Sequence, residues 1–433
     1  MKLETQCLHA GYNPANGEPQ VVPIAQSTTY RYDSAEHMAE LFNMPTEHIY
    51  SRLSNPTCDA VEKKIAALEG GVSAMLTSSG QAATLLSILN ICSAGDSFIS
   101  TSTIYGGTVN LFCVGLKKFG IECIMIDGDA SPEDIQKSFK ANTKAVFCET
   151  IANPALTVAD LEKLSAVAHK NNVPLIVDNT FATPILCRPF EWGADIAVHS
   201  TTKYMEGHAV QVGGVIVDSG KFDWAKANEA SKTSDDPSSG FFADFVLPDE
   251  SYHGLIFTQA FANNAFLAKA RMQLIRDFGC YMSAQGAFYI NLGIETLPLR
   301  MKEVSKNALT VATFFEQSDK VESVCYPGLK NDKYHSLSQK YLPNGASGVI
   351  SVIIKGGRAG AVRFIDALQL ATNVVHVADI RTCVLHPASC THRQLTAEQL
   401  IASGCHEGLV RFSCGLENVE DIIADIQQAL EKV

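Results

Sequence analysis

The sequence predicts an α/β protein: a mostly parallel sheet with helices on both faces, followed by a smaller α+β unit. Three observations predict it. Short apolar runs alternate with helical patterns throughout residues 72–217. Two of those runs, Leu175-Ile176-Val177 and Ile196-Ala197-Val198, are apolar at every position, as in strands buried on both faces. The rhythm then breaks over 218–254, and the pattern that follows from 255 is helical first and mixed later.

Composition bounds the remaining possibilities. At 433 residues, one hydrophobic core is less expected than two domains. A hydrophobic fraction of 46% and a charged fraction of 18% fit a soluble enzyme. The formal charge of −12 argues against nucleic acid or an anionic membrane as main partner. No apolar run approaches the length of about 20 residues that spans a bilayer. Thirteen cysteines are scattered without a C-x-x-C pair or a secretory signal, so reduced thiols in a cytoplasmic setting are expected.

Residues 1–58 carry little periodicity and many turn formers, a pattern expected of an arm draped over another surface. Within it, Tyr50-Ser51-Arg52 stands in extended context before Asn55-Pro56-Thr57, and an Arg there suits a phosphate. Thr57 is the expected cap of a helix over Val61–Leu68 that Gly70-Gly71 ends. Thr77-Ser78-Ser79-Gly80-Gln81 is a small-residue turn opening an apolar helix, where the free N–H groups of Gly80 and Gln81 favour an anion. A strand at Phe98-Ile99 leads to Tyr105-Gly106-Gly107-Thr108, whose glycines leave an aromatic side chain at the strand end. Strands at 121–126 and 145–148 follow, with Ser131-Pro132-Glu133-Asp134 as a helix start between them. A helix over 158–170 presents Leu161, Leu164 and Ala168 on one face. Residues 218–254 are polar and turn-rich, an insertion or linker near a domain boundary. A long helical stretch to about 278 and another over 301–316 are expected next. The chain closes with a strand over 349–354, a helix over 358–369, a strand over 409–413 and an amphipathic helix bearing Ile422, Ile423, Ile426 and Leu430.

The chemistry concentrates at 175–204. Asp178 directly ends one apolar strand, where open α/β sheets hold ligands. The next strand delivers Lys203, flanked by the hydroxyls of Ser200 and Thr202, to the same rim. A buried Lys can form a Schiff base, and a buried carboxylate can pair with a pyridinium nitrogen. This set suggests pyridoxal phosphate (PLP).

Taken in order, these pieces resemble the Cys/Met-metabolism family of PLP enzymes, the trans-sulfuration group. The motifs run nearly end to end: Tyr50-Ser51-Arg52 with Asn55-Pro56-Thr57, Leu68-Glu69-Gly70-Gly71, Tyr105-Gly106-Gly107-Thr108, Glu149-Thr150 with Asn153-Pro154, and Val177-Asp178-Asn179-Thr180. They continue through His199-Ser200-Thr201-Thr202-Lys203-Tyr204, Gly213-Gly214, Tyr326-Pro327-Gly328-Leu329, His386-Pro387-Ala388-Ser389 with Thr391-His392, and Leu409-Val410-Arg411-Phe412-Ser413 before Gly415-Leu416-Glu417. The resemblance implies fold type I, like aspartate aminotransferase, with a seven-stranded sheet. It implies an arm over 1–60 contacting a neighbouring subunit, a PLP-binding large domain over 61–255, a small domain over 256–433, and a homotetramer built as a dimer of dimers. It implies that Lys203 carries the cofactor and shuttles protons, that Asp178 pairs with the pyridine nitrogen, and that Tyr105 stacks on the ring. Gly80, Gln81, Ser200 and Thr202 would hold the phosphate, with Tyr50 and Arg52 reaching a neighbour's. Asn153 would lie near the ring hydroxyl. Arg411, Thr382 and Asn153 would bind substrate, Arg411 forking onto the α-carboxylate.

Within the group, the 218–254 insertion, Gly107 where methionine γ-lyases typically carry Cys, and Arg381 resemble the O-acetylhomoserine sulfhydrylase branch. That branch implies replacement of acetate by sulfide or methanethiol. Methionine γ-lyase and cystathionine γ-synthase or γ-lyase are the alternatives. Several positions depart from the pattern: sulfhydrylases usually read Ala-Asn-Val-Gly-Asp where Val375-His376-Val377-Ala378-Asp379 stands, Ala209 replaces a glycine, and Cys390 a Thr or Met. Two other readings compete. Gly356-Gly357-Arg358-Ala359-Gly360 lacks the second glycine of a dinucleotide fingerprint and reads as a strand-to-helix turn. Cys383, His386, Cys390, His392, Cys405 and His406 have zinc-binding side chains but not a standard zinc spacing, and no metal is expected.

Overall fold

A computed structural model describes residues 1–43, 47–390 and 406–433. Seven strands form the larger sheet: β1 (Ser73–Thr77), β2 (Ser97–Thr101), β3 (Glu122–Ile126), β4 (Thr143–Glu149), β5 (Leu175–Asp178), β6 (Ile196–His199) and β7 (Gly214–Asp218). Their order is β1-β7-β6-β5-β4-β2-β3. The five central and far-edge strands run parallel, and β7 is antiparallel to both neighbours. This is the mostly parallel sheet expected, and the C-terminal ends of β4, β5 and β6 open on one rim. Ile176, Val177, Ile196, Ala197 and Val198 are buried, which accounts for their unbroken apolar runs.

The second sheet holds β8 (Val321–Cys325), β9 (Val349–Ile354), β10 (Thr372–Asn373), β11 (Cys383–Leu385) and β12 (Leu409–Ser413), in the order β10-β11-β12-β9-β8. Helices Gly357–Ala367 and Val419–Leu430 cover it, burying Phe364, Ile422 and Ile426. The divide between cores falls later than residue 256. Phe257, Phe266 and Ile275 pack with the first sheet's core, and the second core begins with Ala308, midway along the helix Leu297–Glu316.

Four local expectations meet a different structure. Asn55, not Thr57, caps the helix Pro56–Glu69; its side chain accepts the Thr57 N–H at 3.0 Å, and Pro56 takes the first helical position. The start of the expected arm is a helix, Leu3–His9, whose Cys7 is buried in this chain's own core. The stretch 257–278 is broken rather than continuous: Ala262 takes φ +48°, and Ala270–Ile275 forms a wider π turn. The insertion is no loose linker. Trp224 stacks on Phe245 and Phe266 at centroid distances of 4.4 and 5.4 Å, with Phe242 edge-on at 5.1 Å. No helix among the described residues is long and apolar enough to cross a membrane.

Candidate active site

A cavity of about 210 Å³ opens at the C-terminal rim of β4–β6, between the two sheets. Nine of the predicted residues line it, Gly80, Gln81, Tyr105, Asn153, Asp178, Ser200, Thr202, Lys203 and Arg411, and His376, which was not among them, lines it too. Its floor comes from the first sheet, and Arg411 arrives on β12 of the second.

Asp178 ends β5 with its carboxyl tied to Thr180, whose N–H and hydroxyl donate to Oδ1 at 3.0 and 2.5 Å. Thr180 Oγ1 in turn accepts the Ser200 N–H at 2.9 Å, so one threonine joins the ends of β5 and β6. Burial raises the Asp178 carboxyl above its ordinary range, against the Thr180 bonds that lower it. Such a group is stabilised as a carboxylate by a cation placed against it. Glu149 sits behind, its carboxylate accepting the N–H groups of Tyr105 at 2.7 Å and Asn153 at 3.1 Å. Burial, and then the adjoining Asp178, push Glu149 well upward.

Lys203 follows β6 in a loop clamped from beneath. Arg300 donates to the carbonyls of Tyr204 at 2.7 Å and Gly293 at 2.6 Å. Burial, then the nearby Arg411, bring the Lys203 amine down to about 8. Behind it, His199 Nε2 and Glu69 Oε1 meet at 2.5 Å in full burial, and Asn179 donates to the same Glu69 oxygen at 3.0 Å. Glu69 thereby braces the strand ends that present Asp178 and Lys203.

The anion end is built by Ser79, which caps the helix Gly80–Leu89 by accepting the Ala82 N–H at 3.1 Å. A Cβ on Gly80 would stand 2.6 Å from Ser200 Cβ, so only glycine lets the helix start approach β6 this closely. Thr202 lines the cavity, but its hydroxyl donates to Gly213 O at 3.1 Å. Tyr105 lines the cavity, and a Cβ on Gly107 would come within 2.4 Å of its ring as it lies here. Arg411 is buried; its Nη1 donates to Asn153 Oδ1 at 3.2 Å and its Nη2 to His376 O at 2.8 Å.

Three expected residues stand elsewhere. Thr382 does not line the cavity: its hydroxyl and N–H donate to Glu417 at 2.8 and 2.6 Å, and Gly415 N–H donates to it, so its bonding capacity serves the loop. Tyr50 and Arg52 lie outside this chain's cavity, with the Arg52 guanidinium 5.4 Å from the Tyr50 ring centroid. Thr391, His392 and Cys405 lie outside the described residues. Of the metal-type cluster, His386 is bonded to Ser389 and to the Glu407 carbonyl, both at 2.7 Å. At 356–360 the chain makes a strand-to-helix turn, with positive φ at Gly356 and Gly357. Sequence reasoning did not assign Thr180, Glu149, Glu69 or His376 a part in the site. Thr180, Glu69 and Glu149 did stand inside the family motifs, the one available signal.

The donor set fits PLP: a glycine-opened helix start for an anion, a buried carboxyl in need of a cation, and an amine of lowered basicity. Fold and cavity together define a PLP site on an α/β sheet. The comparisons agree. A family model described as Cys/Met metabolism PLP-dependent enzyme matches residues 4–431, and the chain belongs to that family. A homocysteine/cysteine synthase of Kluyveromyces lactis is 44% identical over 445 residues, covering 100% of this chain and 98% of its own. An O-acetyl-L-homoserine sulfhydrylase of Leptospira meyeri is 42% identical, covering 100% and 97%. A crystal structure of a putative O-acetylhomoserine (thiol)-lyase from Campylobacter jejuni, containing N'-pyridoxyl-lysine-5'-monophosphate, superposes with a TM-score of 0.93 at 37% identity over 100% of both chains.

Proposed function

We propose that the protein catalyses PLP-dependent γ-replacement, converting O-acetyl-L-homoserine and sulfide to homocysteine and acetate. The C–S bond forms at Cγ, where the bond to the acetate oxygen has broken; methanethiol in place of sulfide gives methionine. One observation carries the reading: Lys203, Asp178 and Arg411 converge on a single cavity between the sheets. The names of relatives that match over their whole length support the choice of substrates.

When bound, the cofactor supplies an electron sink that lets the substrate's Cα release its proton. Asp178 would pair with the ring nitrogen and favour its protonated form. Lys203 would hold the cofactor, and its amine, when free, would take and return protons. Arg411 forks onto the α-carboxylate, with Asn153 beside it. Tyr105, which lines the cavity, would cover the ring. The N–H groups of Gly80 and Gln81, with Ser200 and a reoriented Thr202, would hold the phosphate. Tyr50 and Arg52 reach the phosphate of a neighbouring subunit in a homotetramer, which would complete each cavity. The scattered free cysteines favour a cytoplasmic setting. Separate incubations with O-acetylhomoserine plus sulfide, with cystathionine, and with methionine test the reading. Homocysteine from the first alone is expected; rapid 2-oxobutanoate from methionine alone would overturn it.

A further inference from the structure

His376 lines the same cavity, on the loop between β10 and β11. Its Nδ1 lies 3.5 Å from Lys203 Nζ. Its Nε2 points the other way, 3.5 Å from Asp379 Oδ2. Asp379 is itself fixed, accepting Arg381 N–H and Nε at 2.9 Å and Nη2 at 3.1 Å. The backbone is held too: His376 O accepts Arg411 Nη2 at 2.8 Å, and Ala378 N–H donates to Ser413 Oγ at 2.9 Å. The imidazole therefore stands between the lysine amine and an anchored carboxylate, with Nε2 close to Asp379 but not hydrogen-bonded to it.

We propose that His376 is a positioning residue for Lys203: it accepts a hydrogen bond from the free amine on Nδ1 while Nε2–H faces Asp379. This rests on the role proposed above for Lys203. The charges around the ring favour the neutral imidazole this needs. Lys203, Arg411 and Arg381 are cationic neighbours and Asp379 the one facing anion among the described residues; burial first, and then Lys203, bring His376 down to about 4. A neutral ring accepts from the amine in either protonation state. It gives the freed lysine a fixed station facing the substrate, where an apolar side chain would leave it to wander.

The test uses the holoenzyme and L-norvaline, which has no leaving group. The visible absorbance change as norvaline displaces Lys203 gives an apparent Kd; kcat is measured separately with O-acetylhomoserine and sulfide. In His376→Leu the apparent Kd rises and kcat falls by about tenfold each, the scale of one hydrogen bond to a charged group. His376→Asn, whose amide oxygen can stand near the place of Nδ1, stays within about threefold of the parent, and His376→Gln is the weaker of the two amides. A folded His376→Leu enzyme with unchanged Kd and kcat overturns the proposal. If that variant does not fold, His376→Gln equalling or exceeding His376→Asn overturns it. Absence of any absorbance change in the parent enzyme overturns the Lys203 reading, and this inference with it.

Discussion

Arg411 Nη1 donates to Asn153 Oδ1 at 3.2 Å, joining residues 258 apart in sequence. The arginine comes from the second sheet and the asparagine from the turn beyond β4 of the first, so this bond spans the cavity. With the bond to His376 O, it fixes the orientation of the guanidinium that is proposed to receive the substrate carboxylate. Arg411→Lys keeps the charge but loses the planar fork. KM for O-acetylhomoserine should rise by about ten- to a hundredfold, the loss of a bidentate charge-assisted contact, while the cofactor's absorbance stays unchanged. Steady-state kinetics and a spectrum check both.

Gly80→Ala should weaken cofactor binding without unfolding the chain. The added methyl would meet Ser200 Cβ at 2.6 Å and Cα at 2.8 Å, and Ser200 is held by Thr180. The helix start must then retreat from the place where its N–H groups meet an anion. Equilibrium dialysis should find the PLP Kd raised by about tenfold or more, one overpacking cost expressed as affinity.

The pH profile of kcat should have an acid limb near the Lys203 amine, brought down to about 8 chiefly by burial. The sign follows from its role. Below that value the amine is protonated and cannot accept the Cα proton; above it the neutral base accumulates. Activity therefore rises as pH passes upward through this region, then levels. A profile that falls there would contradict the lysine's role as base.

Trp224→Ala tests whether the 218–254 insertion is part of the large domain's core. The indole stacks on Phe245 at 4.4 Å and on Phe266 at 5.4 Å. Removing it should cost about 3–5 kcal/mol, as for other buried aromatics. Denaturant titration reads the loss, with the visible spectrum of surviving folded protein unchanged.

What was legible in the sequence was what local pattern determines. Asp178 and Lys203 could be placed because each follows a short apolar run whose end a parallel sheet puts at its ligand rim. Ser131 and Gly70 could be read as caps because capping is a matter of a few neighbouring residues. The parts that escaped depend on distant packing. Glu69 matters through His199, 130 residues away, and Glu149 through the N–H of Tyr105, 44 away. His376 gains its place only because the second sheet docks its loop over Lys203. Nothing local warns that Ala262 would take a positive φ and break an apparently continuous helix. The family resemblance supplied Thr382 as a substrate contact, yet Glu417 occupies its hydroxyl.

Lys203 is proposed to carry the cofactor in this cavity. Borohydride reduction of the yellow holoenzyme, followed by peptide mass spectrometry, tests it most directly. The expected product is a pyridoxyl-phosphate adduct on Lys203 alone, absent from Lys203→Ala along with the visible absorbance. An adduct on another lysine, or undiminished visible absorbance in Lys203→Ala, would contradict it.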